Sequence, residues 1–233
     1  TMNKIIRADF FRLSKNKIYK LCLAVMFVFG IISLYTGYEE GTEKSLENGF
    51  FSFLIVAIFA CAAFVPMFLG TDHSDGTLRN KLILGNSRLS VYAANLIVCL
   101  FSGLSMCAAY AASYISIGIL AVGKFTCSTE LIIKYIVASL LILSVFIALF
   151  TALAQTISNK AGSSVICIML ALLLIFAGVL IRSALDEPEY FDAFVLTENG
   201  VTVSEDRQLN PNYLRGIKRK VFEFMNDILP GCQ

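Results

Sequence analysis

Five stretches without a single Asp, Glu, Lys or Arg, roughly residues 21–38, 50–70, 91–122, 135–158 and 161–181, constrain this chain more than any motif in it. A helix needs about 20 apolar residues to cross a hydrocarbon core of roughly 30 Å, and each stretch meets or approaches that length. With 57% hydrophobic and 15% charged residues and a mean hydropathy of +0.74, the 233 residues offer too little polar surface for a water-soluble domain. The alternation of apolar and polar positions that builds a membrane β-barrel is absent. The expected fold class is therefore all-α, a polytopic integral membrane protein with five spans.

The net charge of +2 says little, but the placement of charge sets an orientation. Lys4, Arg7, Arg12, Lys15, Lys17 and Lys20 precede the first span against one acid, Asp9, which puts the N-terminus in the cytoplasm. The following loop, with Glu39, Glu40, Glu43 and Glu47 against Lys44, belongs outside, and the next, with Arg79, Lys81 and Arg88, inside. The turn at Lys124 is then outside, that at Asn159 and Lys160 inside, and everything after Arg182 outside, Glu198 included. No cleavable leader is expected, because the first apolar run is flanked by bases and lacks a small-residue cleavage site. The organisation is a basic N-terminal helix over 1–20, a membrane domain over 21–182 with a cytoplasmic loop at 71–90, and an outer segment over 183–233.

Cys22, Cys61, Cys99, Cys107 and Cys167 fall inside spans, where cysteine packs as a small apolar group. Cys127 and Cys232 fall outside, with only topology to pair them. One histidine, His73, and no C-x-x-C pair leave no metal-ligand spacing. In the N-terminal segment Ile5, Ile6, Phe10 and Leu13 recur near helical spacing, with Arg7, Lys15 and Lys17 off that stripe. This describes either an amphipathic helix on an anionic leaflet or a topology signal, and the two are compatible.

The loop after the second span is the most specific segment. Ser74 or Asp75 is placed to cap a short helix from about Gly76 to about Gly85, with Thr77, Lys81 and Leu84 along one face and Leu78 and Leu82 along another. The competing reading is a solvated basic loop. The run Asp75-Gly76-Thr77-Leu78-Arg79-Asn80-Lys81, followed by Gly85-Asn86-Ser87-Arg88, resembles the motif found after the second span in permease subunits of type-2 ATP-binding-cassette (ABC) exporters. The basic start around Lys4 to Leu13 and the outer Asn210-Pro211-Asn212-Tyr213-Leu214 are similar to the same family, whose members often carry Glu-Tyr where this chain has Asp72-His73.

The resemblance implies that the loop is a coupling helix seated in a groove of a separate ATPase subunit, with Asp75, Gly76, Thr77, Arg79, Lys81 and Arg88 as contacts. It implies two ATPase copies that bind ATP and Mg, a second permease copy in a homodimer, and an amphipathic or hydrophobic cargo such as a peptide or drug, moved outward across a bacterial plasma membrane. It also implies a sixth span beyond Leu229. The chain itself carries no G-x-x-x-x-G-K-[ST] phosphate cradle, no cofactor site and no catalytic constellation, so it is read as a transport subunit and not an enzyme, with no nucleic-acid partner.

The spans contain no charged residue of the kind that serves ion-coupled carriers. The third has small residues at Ser105/Ala109/Ser113 and Ala108/Ala112/Ser116, which suit close helix contact or a substrate-lining surface. Pro66 near the end of the second span marks either a hinge or a packing kink. In the outer segment, Phe194-Val195-Leu196 and Val201-Thr202-Val203 flank a turn and suggest a hairpin, and Leu214, Ile217, Val221, Met225, Ile228 and Leu229 form a helical stripe suited to lying on the bilayer or capping the spans. The rival functional reading is a non-transporting membrane sensor or immunity protein.

Overall fold

The computed structural model describes residues 2–36, 46–85, 87–121, 128–191, 194–197, 200–203 and 208–228. The expectations for Glu39, Glu40, Glu43, Lys44, Lys124, Cys127, Glu198 and Cys232 lie outside those residues. The chain divides into two compact units, Thr1–Ala171 and Leu172–Gln233. Among the described residues five helices are long and apolar enough to cross a membrane: α2 (Lys17–Thr36), α4 (Phe53–Ser74), α6 (Arg88–Ala121), α7 (Thr129–Thr156) and α8 (Lys160–Asp186). They correspond one for one to the five charge-free stretches.

The basic N-terminal segment is interrupted. Helix α1 (Met2–Lys15) stops at Asn16, whose Oδ1 accepts the backbone N–H groups of Ile18 at 2.8 Å and Tyr19 at 3.2 Å and so caps the start of α2. The stripe expected to rest on lipid has a protein partner: Ile5 packs with Val91 and Ala94 of α6, and Phe10 meets Phe101 edge to face at 5.0 Å. Helix α6 has 34 residues, about 51 Å at 1.5 Å per residue, so it overshoots the hydrocarbon core and its first turns are available to hold α1.

Within the first unit α6 packs against α1, α2, α4 and α7, and α4 packs against α7. The small-residue stripes of α6 separate. Ser105 hydrogen-bonds Tyr19 of α2 at 2.7 Å and Ser113 lies against Gly30 of α2, so the first stripe is a contact between neighbouring helices. Ala108, Ala112 and Ser116 of the second are exposed. At the far end of α6, the stacked rings of Tyr110 and Tyr114 donate hydrogen bonds of 2.9 Å to the carbonyls of Gly49 and Leu46, fixing the short helix α3 (Glu47–Phe50) that precedes α4. Pro66 is buried inside an α4 that runs without interruption.

The second unit joins the end of α8 to strands β1 (Tyr190–Phe191), β2 (Phe194–Thr197), β3 (Gly200–Val203) and β4 (Gln208–Leu209), then helix α9 (Ile217–Ile228). Strands β2 and β3 form the hairpin expected from the sequence, with Phe194 opposite Val203, and β1 pairs antiparallel with β4.

Candidate functional site

The loop between α4 and α6 is folded, although much of it faces outward. Gly76 at φ +68° and Gly85 at φ +82° bracket helix α5 (Thr77–Ile83), each taking the left-handed backbone that other residues adopt only at a cost. The expected boundaries hold, but the expected cap does not. Asp75 terminates α4, its N–H donating to the Thr71 carbonyl at 2.9 Å, and its carboxylate accepts a hydrogen bond from Ser74. The first turn of α5 starts from the Gly76 carbonyl, which accepts the Asn80 N–H at 3.1 Å.

Two carboxylates and two cations from three helices meet beneath α5. Lys81 Nζ lies 3.0 Å from both oxygens of Asp9 on α1 and 3.2 Å from Oδ2 of Asp72 in the last turn of α4. Arg12 donates to Oδ1 of Asp72 and stands over the Phe68 ring at 4.1 Å. Thr77 donates to the same Oδ1 at 2.7 Å, so Asp72 receives three donors. Asp9 is 3% exposed and Asp72 2%, which makes the unpaired state of either costly. Burial pushes the Lys81 amine below its usual 10.5 although the charge of Asp9 opposes the shift, and burial likewise lowers Arg12. The four charges sum to zero.

Of the residues expected to meet an ATPase, Thr77 and Lys81 point into this cluster. Asp75, Arg79 and Arg88 are exposed, and Gly76 forms the turn. Arg79 and Ile83 lie one turn apart on the side of α5 opposite Thr77 and Lys81. Ile83 is 71% exposed, Leu84 81% and Leu89 80%. The outward surface therefore sets bases beside bare aliphatic side chains; exclusion from water would favour the aliphatics, and the bases would then need carboxylates or phosphates to pair with. Sequence reasoning missed these aliphatics, placing Leu84 on the face of Lys81. It also missed Asp9, although Ile5, Asp9 and Leu13 fall four apart on one helical face and an acid on an apolar stripe is a signal.

Helix α5 is thus joined by an ion pair to α1 and by an ion pair and a hydrogen bond to α4. No family model, no curated protein and no solved structure matches the chain.

Proposed function

We propose that this chain is the membrane-spanning permease subunit of an ATP-driven ABC exporter, coupled to a separate ATPase through α5. The observation that carries the reading is a short helix between the second and third spans that is ionically joined to two other helices and bare on its outer side. A loop that served topology alone would need its charges but not the cluster beneath them. The N-terminus and α5 face the cytoplasm of a bacterial cell in this reading, and ATP and Mg are bound by the partner. Five spans supply half of a pathway, which a two-fold pair of copies completes. The uncharged spans suit an amphipathic or hydrophobic cargo, and Pro66, which lacks the N–H that would close a helical turn, is in this reading a point of flexure within α4, whose helix runs through it unbroken in the structure.

Arg79→Glu tests the reading, because Arg79 is exposed and stands outside the ion cluster, while reversal of a charge at an interface costs several kcal/mol. The variant is expected to insert in the membrane at parental levels yet lose ATPase co-purification or cargo-stimulated ATP hydrolysis. Parental values in both assays would leave the sensor or immunity reading.

A further inference from the structure

The segment beyond α8 leaves the membrane and is drawn back to its starting point. Asn210 is buried, its N–H donating to the Glu189 carbonyl at 3.0 Å and its Nδ2 to Glu187 Oε2 at 2.8 Å and the Pro188 carbonyl at 2.9 Å. The β1–β4 pair closes the same neck, and Arg215 reaches Glu189 at 3.4 Å. Just before this neck α8 carries the exposed pair Arg182 and Asp186, 3.9 Å apart, which mark where its apolar run ends. Gly216 at φ +59° then turns the chain into α9. The start of α9 is thus tied to the point where α8 emerges from hydrocarbon.

On α9 the residues Ile217, Val221, Phe224 and Met225 share one face, and all are exposed, Ile217 at 82% and Phe224 at 65%. The opposite face turns toward its own unit: the Arg219 guanidinium stands 4.9 Å from the centre of the Tyr213 ring and pairs with Glu223 at 3.0 Å. At 100° per residue Lys218 and Lys220 leave the helix on either flank of the apolar face, while Glu223 lies behind it. By the same rotation Asp227 falls near the Lys220 flank, two turns further along, so the bases lead at the start of the helix, where Lys218 and Lys220 flank the apolar face and complement an anionic lipid surface, since lysine stems lie along acyl chains while their ammonium groups reach phosphates.

We propose that α9 lies in the headgroup layer of the bilayer face at which α8 ends, with Ile217, Val221, Phe224 and Met225 among acyl chains and Lys218 and Lys220 on anionic lipid phosphates. The assignment is independent of the exporter reading and of which side that face is. The test uses the full chain with Phe224→p-benzoylphenylalanine or, in a second variant, Glu223→p-benzoylphenylalanine. Each is reconstituted in vesicles of phosphatidylcholine alone or of equal parts phosphatidylcholine and phosphatidylglycerol, irradiated, and read by mass spectrometry. The expected result is a phospholipid adduct at position 224 and not at 223, with a yield that rises several-fold with phosphatidylglycerol and loses that rise in Lys218→Glu/Lys220→Glu. Crosslinks from position 224 to a second copy or to the chain's own spans, or equal lipid adducts from the two faces, would overturn the interfacial placement. A yield indifferent to phosphatidylglycerol would overturn the role of the lysines.

Discussion

Asp72 is the residue on which the α5 joint turns, because it alone accepts from Arg12, Thr77 and Lys81 together. Neutralising it leaves the half-buried Arg12 guanidinium beside an uncharged amide with only the more distant Asp9, 4.0 Å away, whereas Lys81 keeps Asp9 at 3.0 Å. Removing one partner of a buried ion pair costs about 3 kcal/mol or more. Asp72→Asn is therefore expected to lower the thermal midpoint of the purified protein in detergent by several degrees, while Asp75→Asn, on an exposed side chain, leaves it near the parent. Equal midpoints for the two variants would mean that the cluster holds nothing. The carboxylate of Asp72 could be placed near the membrane edge from the sequence, but its partners could not, since Arg12 is 60 positions away and only the docking of α1 on α6 brings it near.

At the scale of elements, local chemistry made most boundaries legible. Two glycines that tolerate left-handed backbone fix α5, and charge-free runs fix the spans. The break at Asn16 was legible only in hindsight, because a basic amphipathic run continues through it and the amide cap is a local competitor to helix continuity. The α2–α6 contact supplies the sharpest packing test. A Cβ on Gly30 would stand 2.8 Å from the backbone carbonyl oxygen of Tyr110 and would collide with Ser113 Oγ, and the carbonyl cannot yield without moving α6. Gly30→Val is expected to destabilise by about 1–3 kcal/mol through overpacking. Gly162→Val, whose nearest neighbours are side-chain atoms of Asn159 at 3.6 Å and beyond, provides the comparison in the same melting assay.

For the whole molecule, orientation is the property most directly open to measurement. Basic residues occur at α1, α5 and, as Lys160 alone, the turn before α8, and the exporter reading puts all three in the cytoplasm, while the bases of 215–220 lie in the segment it puts outside. Lys81 is a poor place for a probe, since replacing it would open the cluster. Arg79→Cys on the exposed side of α5 and Lys15→Cys are expected to resist a membrane-impermeant maleimide in intact cells and to react once the membrane is permeabilised. Reaction of Arg79→Cys from outside would reverse the topology and remove the ATPase from the account. The fold class and span count were readable from hydropathy, whereas the arrangement of helices was not, because an apolar residue facing lipid and one facing protein look alike in composition.

The electrical neutrality of the Asp9–Arg12–Asp72–Lys81 cluster has a consequence for anything that approaches this end of the protein. A cancelled quartet contributes little field beyond itself, so among the described residues of the α5 segment an incoming surface senses Asp75, Arg79 and Arg88, with Ile83, Leu84 and Leu89 between them. Those three charges stand in water and are screened by ions within about 10 Å at 0.1 M salt, whereas the quartet, built on two buried carboxylates, is screened much less. Ionic strength thus weakens what an approaching surface meets more than it weakens the ion pairs beneath, so that recognition at the outer side of α5 and its attachment to α1 and α4 respond to different variables.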